Sequence, residues 1–171
     1  MIKMLHHSAY RCRDSEETRV FYEDFLGLPL TQTLTLSETK TGRHTHTLHT
    51  FYRLDDGSHL AFFETEDMPF EFKRQHDYDL HIALEIDRSA LEPMLKKGSE
   101  WGIEVRGPSD HGMIDSIYFR DPNGYVIELC AKRSDHDIAM DPAKNGARSQ
   151  LQRWMQEKAA RQAASQFSNP G

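Results

Sequence analysis

The chain has 171 residues, with 21 basic and 27 acidic side chains for a formal net charge of −6, and 37% of its residues are hydrophobic. That length is one domain's worth of material, or two small modules sharing a core. The acidic balance excludes a general affinity for phosphate backbones or anionic membranes, so neither nucleic acid nor membrane is an expected partner. Cys12 and Cys130 form no CxxC pair, which excludes a disulfide framework and a cysteine-rich zinc site. Met1 to His7 lacks an apolar leader and no apolar run is long enough to span a bilayer, so a soluble cytoplasmic protein is expected. The unusual feature is a set of 10 histidines.

Met4 to Cys12 reads as a strand, and Asp14-Ser15-Glu16-Glu17 supplies the N-cap for a helix over Thr18 to Leu26, whose apolar face is Val20, Phe21, Phe25 and Leu26. Strands are expected over 28–36, 46–54 and 58–64, then an acidic crossover at 65–77. From Leu80 the order repeats: strand 80–86, helix 88–101, Gly102 to Val105, strand 114–120, the turn Asp121-Pro122-Asn123-Gly124 and strand 125–132. His7-Ser8-Ala9 lines up with His81-Ile82-Ala83, and Gly27-Leu28 with Gly102-Ile103, at nearly the same offset. Two β-α-β-β-β units, each with an unfinished sheet, predict an α+β fold of paired βαβββ modules forming one curved mixed sheet. The domain is expected over 1–132, with modules about 1–70 and 78–132. A polar linker and C-terminal helix occupy 133–171, and there Leu151, Trp154 and Met155 form a face that packs on its own domain or on a second subunit.

His7 opens the first strand of half one, His81 the first strand of half two, and Glu128 lies on the last strand of half two. An approximate twofold between the halves would bring both imidazoles and the carboxylate together in one concave sheet. Such a metal site leaves positions open and suits iron(II) that must bind a substrate and O₂. Ile127-Glu128-Leu129 corresponds by pattern to Leu60-Ala61-Phe62, and Ala61 cannot bind metal. Glu64 has the opposite strand parity and points to the other face unless a bulge intervenes, so three ligands are expected rather than four. His44, His46 and His49 read as a solvated strand face or a pocket rim, and His6 is expected to point away from His7.

These residues resemble the vicinal oxygen chelate superfamily, which includes glyoxalase I, fosfomycin and bleomycin resistance proteins and extradiol ring-cleavage dioxygenases. Leu5-His6-His7, Phe21-Tyr22 and Leu26-Gly27-Leu28 look like its first module, and the resemblance covers about residues 1–132. The series His111, Ile117-Tyr118, Asp121-Pro122-Asn123-Gly124 and Glu128 is similar to the extradiol dioxygenase signature, departing from it at Ser109. The resemblance implies His7, His81 and Glu128 as metal ligands and His111 and Tyr118 as catalytic groups contacting substrate oxygens. Either could accept or return the proton a catechol loses on chelation. It also implies a further acid-base histidine near Gly57-Ser58-His59-Leu60-Ala61, onto which His59 does not align securely.

The expected function is therefore an iron(II)-dependent extradiol-type dioxygenase that takes a catechol-like aromatic and O₂. The alternatives are a glyoxalase-like lyase, isomerase or epimerase using Mn, Ni, Zn or Co, and a metal-free drug-binding protein. The resemblance also implies a homodimer.

Overall fold

The computed structural model describes residues 1–167; residues 168–171, the end of the expected extension, lie outside the described residues. The chain divides into two compact units, one of Met1–Ser109 with Ser116–Ala131 and the other of Asp110–Asp115 with the chain from Lys132 onward. The first unit holds the expected repeat. Strand β1 (His7–Arg11), helix α1 (Ser15–Arg19), β2 (Leu30–Glu38), β3 (His44–Arg53) and β4 (His59–Thr65) make module one. Strand β5 (His81–Glu85), helix α2 (Leu91–Glu100), β6 (Val105–Asp110), β7 (Ile114–Arg120) and β8 (Val126–Lys132) make module two.

Each module forms its own four-stranded sheet, in the orders β1-β4-β3-β2 and β5-β8-β7-β6. The α+β class and the paired βαβββ modules are as expected, but one curved sheet is replaced by two that share no backbone ladder. In both modules the opening strand runs parallel to the last one, and the register repeats: Ala9 faces Ala61 as Ala83 faces Glu128. Residues alternate between the two faces of a strand, so His7, Ala9, His59 and Ala61 share the face opposite Leu60 and Phe62. Leu60 and Phe62 enter a core continuous across both modules, in which Tyr22, Phe25, Tyr52, Ile117, Phe119 and Ile127 are also buried. Burying side chains of this kind contributes about 1.5–3 kcal/mol each.

Asp14 caps α1 by accepting the Glu17 amide at 2.8 Å, and the Glu64 carboxylate accepts the Ser15 amide at 2.7 Å. After Arg19 the helix widens into a π-helical turn, Val20–Phe25, that carries Phe21, Tyr22 and Phe25 into the core. On α2, Gly98 lies so close to the sheet that a Cβ there would stand 2.4 Å from Phe119 and 2.7 Å from Val105. Only glycine admits that approach.

The modules are joined by the turn that precedes β8. The Asp121 carboxylate accepts the amides of Asn123 at 2.9 Å and Tyr125 at 2.7 Å, and the fully buried Tyr22 donates its hydroxyl to it at 3.0 Å. Asn123, also fully buried, accepts the Arg13 amide at 2.8 Å and donates to the Thr18 hydroxyl at 3.2 Å. Burial pushes the Asp121 carboxyl above the usual carboxylate range and the Tyr22 phenol well above its ordinary value, so that phenol remains a donor.

In the second unit, Arg133 binds Asp110 at 2.7 Å and Asp115 at 3.3 Å, and its amide donates to the Met113 carbonyl at 2.9 Å. Helices α3 (His136–Ala139) and α4 (Ala147–Phe167) follow, with Leu151, Trp154 and Met155 of α4 exposed. None of the described helices is long and apolar enough to cross a membrane.

Replacing Asn123 with Ala strands the Arg13 amide and removes a donor from the Asp121 carboxylate. Asn123→Ala should cost about 2–4 kcal/mol of unfolding free energy, read as a lower urea midpoint. Gly124→Ala should be at least as damaging, because Gly124 has φ +94° and a Cβ there would stand 2.6 Å from the Lys73 backbone. An unchanged midpoint in both variants would remove this turn as the joint between modules.

Candidate metal centre

Strand β8 carries Glu128 on the face that its partner β5 shares through Ala83. The carboxylate is buried, at 5% exposure, and Ser116 donates its hydroxyl to Oε1 at 2.5 Å while Tyr118 donates to the same oxygen at 3.3 Å. Ser116 and Tyr118 sit two apart on β7, so one strand face supplies both donors. Burial, followed by the Glu128 charge, raises the Tyr118 phenol above its ordinary pKa and keeps its proton in place. The Arg106 guanidinium lies 4.9 Å over the Tyr118 ring and is paired with Asp77 at 2.5 Å.

His81 approaches the other carboxylate oxygen. Its Nδ1 lies 2.7 Å from the Asp77 carbonyl, which can only accept, so Nδ1 carries the hydrogen. In the neutral ring Nε2 then presents a lone pair, 3.3 Å from Glu128 Oε2. Two electron-pair donors this close repel unless a proton or a cation stands between them. One ion at metal–ligand distances of about 2.1 Å from each donor spans that gap. The carbonyl that fixes the His81 tautomer is the kind of outer support that metal-binding histidines use. The pair therefore fits a divalent ion.

His7 does not join this pair. It lies exposed at the start of β1, in the other sheet, and among the described residues no group of three or more His, Cys, Asp or Glu side chains could hold a metal ion. The expected meeting of His7, His81 and Glu128 in one concave sheet is corrected on this point: no ladder joins β1 to β5, and each opening strand pairs only with the last strand of its own module. Ala61 occupies the register position equivalent to Glu128, and Glu64 caps α1 from the opposite face, so module one adds no carboxylate.

The surroundings of His7 are imidazole and aromatic. His6 lies outside β1 and its Nδ1 is 2.8 Å from that of His7, so the strand-parity expectation that it points away does not hold. The ring of Phe51 lies 5.6 Å from that of His7, and the ring of His49 lies 6.4 Å from it. His59 sits directly across from His7 in the ladder, which settles its face, and its buried Nδ1 has no hydrogen-bond partner. His44 and His46 are exposed as a solvated face requires, but His49 is buried. Its odd position in β3, against the even positions of His44 and His46, is the signal that separates it from them.

His111 lies exposed in the turn between β6 and β7, in the second unit, with its amide donating to the Ile114 carbonyl at 3.0 Å. Burial pushes the Cys12 thiol up to about 11, which leaves no thiolate for nucleophilic chemistry at neutral pH.

The family model of the Glyoxalase/Bleomycin resistance protein/Dioxygenase superfamily matches residues 4–129. A lactoylglutathione lyase of Neisseria meningitidis is 31% identical over 145 residues, which are 77% of this chain and 92% of that protein. The metallothiol transferase FosB of Bacillus licheniformis is 42% identical over 78 residues, 43% of this chain and 48% of that protein. Among solved structures, a variant of the fosfomycin resistance protein FosX from Listeria monocytogenes, complexed with Mn(II) and 1S,2S-dihydroxypropylphosphonic acid, has a TM-score of 0.58 at 21% identity, covering 80% of this chain and 98% of that one. The relatives' names are those of lyases and transferases, which favours the lyase-type alternative over the dioxygenase expectation and lends no support to iron. The family match, the duplicated βαβββ order and the repeated register agree, and the chain belongs to the Glyoxalase/Bleomycin resistance protein/Dioxygenase superfamily.

Proposed function

We propose that this chain is a divalent-metal-dependent enzyme of the lyase or transferase type, acting on a small molecule that binds the metal through its oxygen atoms. We further propose that it works as a homodimer whose site combines His81 and Glu128 of one subunit with His7 of the partner subunit. The observation that carries the reading is the buried Glu128 carboxylate, with one oxygen occupied by two hydroxyl donors and the other facing the His81 lone pair at 3.3 Å. A third donor has to come from elsewhere. The exposed His7, at the equivalent register position of the other module, is the candidate by chemistry and by repeat.

A divalent ion held there would supply Lewis-acid polarisation of a substrate oxygen. The protein's own groups do the rest. The Asp77 carbonyl holds the His81 tautomer, and Arg106 in turn fixes Asp77. Ser116 keeps Glu128 oriented and offsets the cost of burying its charge. Tyr118, whose phenol keeps its proton, donates to Glu128 at 3.3 Å in this structure and can turn that one O–H to a developing negative charge on substrate oxygen instead. Two imidazole nitrogens and one carboxylate oxygen suit Mn, Ni, Zn or Co as well as Fe(II), so the donor set does not favour iron or O₂ chemistry.

The shared site has a direct test in Mn(II) titration. His7→Ala and Glu128→Ala homodimers should each lose tight binding. Their equal mixture, refolded together, should regain roughly a quarter of the wild-type sites, because half the dimers are mixed and each mixed dimer has one intact site. No recovery would put His7 and Glu128 of one site in the same subunit, and tight binding retained by His7→Ala would place His7 outside the site.

Glu64→Ala should leave metal stoichiometry unchanged while costing about 1 kcal/mol through the lost α1 cap. Loss of metal in that variant would restore a fourth ligand. For the reaction, the metal-loaded wild type should turn over the hemithioacetal of methylglyoxal and glutathione, or fosfomycin with a thiol. Oxygen uptake on a catechol would instead restore the dioxygenase reading.

A further inference from the structure

His49 is a residue that the proposed metal centre does not use, and its construction is specific. It lies within β3, opposite Leu34 of β2 and Phe63 of β4, and is only 7% exposed. Its ring stacks on Phe63 with centroids 3.6 Å apart and planes within 9°, and the Phe51 ring lies 4.2 Å away. Nδ1 is 2.9 Å from the Phe62 carbonyl, so it donates there and leaves Nε2 as the acceptor of the neutral ring. That Nε2 has no hydrogen-bond partner among the described residues, is not fully enclosed, and lies on the strand face that carries His7. Its neighbour on that face is His7.

An imidazole is an expensive way to fill a gap between two aromatic rings, where Leu or Phe would bury no polar atom. What it provides is one acceptor nitrogen held in a single tautomer and orientation by a carbonyl and two rings. Fixed geometry of that kind is what proton transfer requires of a side chain. The same strand face carries Phe51 and, across the ladder, Phe63, both partly exposed, which offer a substrate apolar contact beside the acceptor nitrogen.

We propose that His49 is the proton-transfer residue of the reaction, its Nε2 accepting the proton that the reacting group gives up. The bond broken is from that proton to carbon, oxygen or sulfur, whose electron pair stays behind. The bond formed is Nε2–H, and the same nitrogen returns the proton to the product, so no external acid, base or oxidant is consumed. This inference rests on the preceding one, because it needs the His7 face of one subunit to meet His81 and Glu128 of the other.

The test compares wild type, His49→Phe and His49→Ala by Mn(II) titration, dimer mass and steady-state kinetics on the lyase or transferase substrate. His49→Phe keeps the aromatic stack. It should retain metal stoichiometry and dimerisation and lose about 10²- to 10⁴-fold in kcat with KM nearly unchanged. His49→Ala should regain part of the lost rate on addition of imidazole, a response that a packing role does not produce. A His49→Phe enzyme within tenfold of wild type, one that no longer holds metal, or a folded, metal-loaded His49→Ala enzyme deaf to imidazole would each overturn the proposal. Failure of the wild type to bind metal or to turn over would instead overturn the reading beneath it.

Discussion

The turn from Asp121 to Gly124 is the constraint on which the rest of this structure depends. Its polar groups are withdrawn from water, and a buried donor or acceptor without a partner costs about 1–3 kcal/mol, so the turn is stable only when docked on module one. Arg13, Thr18 and Tyr22 supply what it lacks. The turn leads directly into β8, so the docking that joins the modules also fixes the strand on which Glu128 stands. The Asp-Pro-Asn-Gly segment is therefore a structural joint rather than a reactive element. Glycine at its end is dictated by a positive φ and by the Lys73 backbone alongside.

Duplication gives both modules the same scaffold, and substitutions at matched positions give them different chemistry. The equivalent of Glu128 is Ala61, and the face around Ala61 carries rings instead of hydroxyls. Module two buries a charge and supports it with Ser116, Tyr118 and His81. Module one avoids buried charge and presents His7, His49, His59 and Phe51. The two faces differ accordingly: one holds a buried carboxylate beside a single imidazole, and the other groups imidazoles and rings without a carboxylate.

Much of this is legible in the sequence because it depends on order and parity. The alignment of His7-Ser8-Ala9 with His81-Ile82-Ala83 predicts two modules, and the match of Ala61 to Glu128 predicts where a fourth ligand is missing. Parity also assigns Glu64 to the helix-facing side, where it caps α1. Parity fails where a strand boundary is misplaced. His6 turns toward His7 because β1 begins at His7, three residues after the expected start at Met4, so strand alternation does not reach His6. His49 is obscured by its resemblance in spacing to His44 and His46, although its odd position puts it on the face of His7. The relation between the two sheets is set by side-chain docking at the Asp121 turn rather than by any local pattern. The meeting of three ligands in one chain was therefore not something that a linear repeat could decide.

The division of labour between the faces also follows from desolvation. A carboxylate closed off from water needs hydrogen bonds, and Ser116 and Tyr118 supply them to one oxygen of Glu128 from the adjacent strand β7, while His81 stands beside the other oxygen from β5. A neutral imidazole needs less. One carbonyl and two rings hold His49, so it can be built into a sheet with no charged support. Placing the buried carboxylate and the buried imidazole on different modules lets each be stabilised by groups of its own sheet.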